Sequence, residues 1–93
     1  MLEKEIESKL VREARKRGCI PVKLLSASYN GLPDRVIFAP DERVAFVELK
    51  APGQRPKPLQ IHRLKQLRAL GYSVYVVDDK EQIGGMLDEL CPS

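Results

Sequence analysis

Two short β-prone runs, Val36-Ile37-Phe38 and Val44-Ala45-Phe46-Val47-Glu48-Leu49-Lys50, flank the polar turn Pro40-Asp41-Glu42-Arg43, and this unit restricts the chain more than any other stretch. The simplest connection across such a turn is a tight antiparallel hairpin. Pro33 directly before Asp34 favours an extended turn over a helix, so Asp34 sits at the start of the first strand. In the second strand the side-chain period of two puts Val44, Phe46, Glu48 and Lys50 on one face and Ala45, Val47 and Leu49 on the other. A hairpin centred near Asp41 places Asp34 opposite Glu48 or one position off. Facing residues of an antiparallel pair have Cβ atoms about 4.5–5.5 Å apart, close enough for two carboxylates to share one hard cation. Without a cation the pair repels and one acid takes up a proton; Mg²⁺ or Mn²⁺ makes the arrangement favourable. Lys50, on the same face, can then hold an attacking water or a phosphate oxygen by charge.

The remainder of the chain reads as one α/β domain over residues 1–93. At ~100° per residue, Leu2, Ile6, Leu10, Val11 and Ala14 form one helical stripe with Glu3 and Glu7 inside it, and Gly18 closes the helix. A carboxylate on such a stripe needs a partner. A border salt bridge suits Glu3. Cys19 to Leu25 reads as a strand with Pro21 at its beginning or on an edge. Ser26 to Gly31 is a loop, and Ala51 to Pro58 is a second, basic loop broken by glycine and prolines. A helix follows from about Leu59 to Leu70, with Ile61, Leu64, Leu67 and Leu70 as its apolar face and Gly71 as its stop. Tyr72 to Val77 is the last strand, and Asp78 or Asp79 caps a terminal helix that Gly84-Gly85 weakens. The order is α-β-β-β-α-β-α, with helices flanking a mixed four-stranded sheet.

Charge adds a partner class. The net charge is only +3, yet Lys50, Arg55, Lys57, Arg63, Lys65 and Arg68 fall between residues 50 and 77 with no Asp or Glu among them. Beside a presumed metal site, that segregation suits a phosphate polyanion better than a merely solvated helix face. Ser28 and Tyr29 lie just upstream of Asp34, where they could touch phosphate or stack on a base. Lys23 could reach substrate too, although a solvent-facing strand lysine is the commoner explanation. With 43% hydrophobic and 31% charged residues, the composition is that of a globular protein, and no apolar run approaches the ~20 residues of a membrane helix. Met1 to Glu5 lacks the character of a secretory signal, which makes a cytoplasmic location the expectation. Cys19 and Cys91 are far apart in sequence and form no CxxC, so neither a disulfide scaffold nor a zinc site is expected.

Asp34 followed by Glu48-Leu49-Lys50 resembles the PD-(D/E)xK nuclease superfamily. Within it, Gly31-Leu32-Pro33-Asp34-Arg35, Phe46 to Gly53 and Gln60 resemble the VRR-NUC family, including its small stand-alone members, over nearly the whole chain. An isolated ExK carries no information, whereas the ordered set in its strand context is specific. The resemblance implies a restriction-endonuclease-like core and metal-dependent phosphodiester hydrolysis. Asp34, Glu48 and the main-chain carbonyl of Leu49 would hold one or two Mg²⁺ or Mn²⁺. Glu7, three residues before Leu10 as in the Glu-x-x-Leu element of junction resolvases, would complete the shell, directly or through water. Lys50 and Gln60 would align the water. Lys23, Ser28, Tyr29, Arg35, Arg55, Lys57 and Arg63 are the candidate nucleic-acid contacts.

Paired incisions need two active sites, and two-fold pairing of a one-domain enzyme supplies them. The expected activity is therefore that of a homodimer resolving four-way (Holliday) DNA junctions, with the repair and recombination roles that implies. The alternatives are a nuclease selective for flaps or single strands, and a non-catalytic nucleic-acid-binding module of the same fold. A metabolic α/β domain finds no support, because the chain has neither a Gly-rich phosphate loop nor a nucleophile motif.

Overall fold

The computed structural model describes residues 2–91. Three helices, α1 (Glu3–Lys16), α2 (Pro58–Ala69) and α3 (Gln82–Leu90), accompany four strands, β1 (Ile20–Lys23), β2 (Arg35–Phe38), β3 (Val44–Leu49) and β4 (Ser73–Val77). The sheet order is β1-β2-β3-β4. The first two pairings are antiparallel and β3 pairs with β4 in parallel. This is the mixed four-stranded sheet and the α-β-β-β-α-β-α order expected from the sequence.

The β2–β3 hairpin forms because its turn supplies two residues in the left-handed region, Asp41 at φ 61° and Glu42 at φ 63°. That conformation matches the twist of the flanking strands. Its register pairs Arg35 with Val47 and Val36 with Phe46, and the same alignment continued by one residue sets Asp34 against Glu48.

Alternation then divides the sheet. Ala45, Val47, Leu49, Ile37 and Val77 face Ile6, Leu10 and Ala14 of α1 together with Ile83, Met86, Leu87 and Leu90 of α3, and all are buried in one core. The opposite face carries Phe46, Glu48 and Val36 and meets α2, whose buried residue is Leu64. Phe46 stacks edge-on against Tyr72 at 5.2 Å between ring centroids. α2 packs chiefly on β4, so Ile20, Val22 and Phe38 on the β1–β2 half of that face stay exposed.

Helices α1 and α2 end alike. Gly18 and Gly71 adopt positive φ, and the residue after each donates its N–H back to the helix: Cys19 to the carbonyl of Ala14 at 3.0 Å, Tyr72 to that of Leu67 at 3.2 Å. These are Schellman stops, in which glycine takes the left-handed position without a Cβ clash.

The structure corrects several sequence expectations. The first strand is shorter than Cys19 to Leu25. The apolar face assigned to the 59–70 helix is mostly not buried: Ile61 is 41% and Leu70 74% exposed, because α2 covers only part of the sheet. Leu2 is exposed as well and Val11 only half-buried. Asp78 and Asp79 shape the turn before α3 rather than capping it. Gln82 Oε1 accepts from the Asp78 and Asp79 amides, and Asp79 accepts from the Glu81 amide at 2.9 Å. Cys19 and Cys91, distant in sequence, meet in the core as free thiols.

Candidate active site

Asp34 reaches its place through three local devices. Gly31 turns the chain at φ 86°, a conformation that favours glycine, and a Cβ there would lie 2.7 Å from Cγ of Leu59 in α2, so any larger residue would force that side chain to shift. Pro33 is buried and extends the chain into β2. The Asp34 carboxylate then accepts the Leu49 N–H through Oδ2 at 2.8 Å, while its own carbonyl accepts the Leu24 N–H at 2.8 Å. The aspartate is thus fastened to the main chain of β3.

Glu48 is only 1% exposed, and neither of its carboxylate oxygens has a hydrogen-bond partner. Lys50 Nζ stands 3.2 Å from Oε2, near enough for charge attraction but outside hydrogen-bond geometry. Burial, reinforced by the Asp34 charge, pushes the Glu48 carboxyl up to about 7 against the opposing pull of Lys50. A buried acid whose oxygens make no hydrogen bond, with a second acid beside it and a single ammonium to balance the two, is an unbalanced polar cluster. It suits a hard divalent cation that takes one or two carboxylates and keeps several waters, as Mg²⁺ does.

Glu7 is engaged away from this pair. Glu7 Oε2 accepts from Arg35 Nε at 3.0 Å, and Arg35 also donates to the carbonyl of Pro21 at 3.2 Å. Arg35 shares the Val47 side of the sheet, opposite Glu48. Glu7 therefore makes the helix salt bridge that the sequence suggested for Glu3, while Glu3 has none among the described residues. Among those residues no three His, Cys, Asp or Glu side chains cluster as a metal cage. Gln60 lies in the first turn of α2, where its Oε1 accepts the Lys57 N–H at 2.8 Å and so caps the helix.

Of the expected nucleic-acid contacts, Lys23, Ser28, Arg55 and Lys57 are exposed. Tyr29 and Arg63 hold each other. The Arg63 guanidinium lies 3.9 Å from the Tyr29 ring centroid, donates to the Asn30 carbonyl at 2.7 Å and shares Gln66 Oε1 with the Tyr29 hydroxyl. This clamp fixes the loop before Asp34 to α2. Sequence reasoning missed Gln66 and the Leu49 amide as parts of the site. The spacing of Arg63 and Gln66 by one helical turn was the available signal for the first; a main-chain donor leaves none.

Two strands of a mixed α/β/α sheet that present Asp34, Glu48 and Lys50 on one face define the PD-(D/E)xK type of α/β fold. The VRR-NUC domain model matches residues 4–80. The chain is 43% identical over 79 residues to "Putative nuclease p44" of Acyrthosiphon pisum secondary endosymbiont phage 1, covering 85% of each protein. A solved structure described as a VRR_NUC domain superposes with a TM-score of 0.86 at 22% identity, over 95% of this chain and 97% of that one. The chain belongs to the VRR-NUC family, a family of nuclease domains.

Proposed function

We propose that this protein is a metal-dependent endodeoxyribonuclease that acts on branched DNA, with the four-way junction as its preferred substrate and a homodimer as its working form. The observation that supports the reading is the buried Glu48 carboxylate, without a hydrogen bond and facing Asp34. Asp34, Glu48 and the Leu49 carbonyl would hold Mg²⁺ or Mn²⁺, which supplies Lewis-acid polarisation of the phosphate and a nucleophile at neutral pH.

The protein's own groups do the rest. Lys50 places positive charge where the scissile phosphate gains negative charge. Gln60 keeps its amide nitrogen for orienting water while its oxygen caps α2. Glu7 joins the shell only by exchanging its Arg35 partner. Exposed Lys23, Arg55 and Lys57 hold phosphates without reading bases, so selectivity rests on DNA shape. The apolar residues exposed on the β1–β2 half of the sheet supply surface for two-fold pairing.

The deciding experiment incubates purified protein with labelled four-way junction, flap, duplex and single-stranded DNA in Mg²⁺, Mn²⁺ or EDTA, alongside sedimentation. Paired junction cuts that EDTA abolishes are expected. Asp34→Asn should lower the rate by about 10³-fold while leaving the fold and DNA binding in place. Preferential cutting of flaps or single strands would replace the junction reading, and binding without any cleavage would leave a non-catalytic module.

A further inference from the structure

Cys19 and Cys91 are 72 positions apart, yet their Sγ atoms are 3.2 Å apart in the core. Cys19 follows the glycine stop of α1, and its amide is bonded to Ala14; Cys91 follows α3, and its amide donates to the Leu87 carbonyl at 2.8 Å. Both backbones are therefore held, and both thiols are nearly sequestered, at 4% and 9% exposure. No step of phosphodiester cleavage uses either sulfur. We propose that Cys19 and Cys91 form an oxidisable dithiol, a modification site at which a small hydroperoxide installs a reversible covalent link between the start of the sheet and the last helix.

The geometry suits this chemistry and little else. The sulfurs are in contact, so a modest side-chain rotation brings them to bonding distance. Two sulfurs alone make no metal cage, and among the described residues no third ligating side chain stands near them. Burial and the neighbouring thiol push Cys19 up to about 11, and the enclosed position of both sulfurs admits a small uncharged oxidant rather than a bulky one.

In the first step one sulfur attacks hydrogen peroxide, the O–O bond breaks, and a sulfenic acid and one water result. The second thiol then attacks that sulfur. The S–O bond breaks, the S–S bond forms, and the departing hydroxyl leaves with the thiol proton as a second water. Each sulfur loses one electron and the peroxide takes both.

The test treats the reduced full chain with hydrogen peroxide, then measures intact mass, alkylation under denaturing conditions and thermal unfolding with and without a thiol reductant. The expected product has lost two hydrogens, resists alkylation, runs as a single chain without reductant and melts roughly 10 °C higher, because the link closes a long loop. Reductant should reverse the mass loss, the resistance to alkylation and the gain in Tm. Peroxide should raise the Tm of neither Cys91→Ala nor Cys19→Ala. Thiols that remain alkylatable, oxidation that stops at sulfinic acid, or cross-links between chains would each overturn the proposal. The wild-type mass shift decides the matter even if a variant fails to fold.

Discussion

Burying Glu48 beside Asp34 ties the stability of the metal-free protein to pH. Its folded-state pKa of about 7 lies above the ordinary value of 4.5, so the folded chain binds this proton more tightly than the unfolded chain does. The stabilisation from neutral Glu48 is fully present below the unfolded value and is lost as pH rises through about 7. In chelator, unfolding free energy should fall between pH 5 and pH 8 by on the order of 2 kcal/mol. Glu48→Gln should abolish most of that slope, and denaturant titrations at both pH values would show it; an unchanged slope would mean that another group is responsible. Both acids were legible in the sequence, because strand alternation and a short turn fix which residues face each other. The Asp34–Leu49 amide bond was not, since a main-chain donor looks the same at every position until the register is known.

Among the elements, the loop before β2 matters most to the site. Gly31 both adopts a left-handed conformation and admits Leu59, and the Arg63–Tyr29 clamp holds the residues just before it. Gly31→Ala should cost about 1–3 kcal/mol of stability and lower cleavage by displacing Asp34, with circular dichroism melts and junction assays as the readouts. A variant as stable and active as the parent would show that the loop yields freely. The glycine stops of α1 and α2 were readable because their physics is local. The burial pattern of α2 was not, because Ile61 and Leu70 have the spacing of a core stripe but the described residues leave them 41% and 74% exposed. Likewise Cys19 and Cys91 meet only through the packing of α1 on α3, a contact that sequence spacing does not encode.

At the scale of the whole molecule, a modest net charge of +3 hides a basic segment between residues 50 and 77. If Lys57 neutralises one DNA phosphate, binding should weaken with salt along a log–log line whose slope shrinks by about one in Lys57→Ala, similarly across DNA sequences. Fluorescence anisotropy over a salt series would measure it, and an unchanged slope would remove Lys57 from the contact surface. β3, which carries Glu48 and tethers Asp34 through its backbone, is an inner strand bonded on both sides. Inner strands of small domains open only when the whole domain opens. Heating this protein should therefore produce no partly melted population with a loosened catalytic centre: cutting power and cooperative structure should vanish at the same temperature.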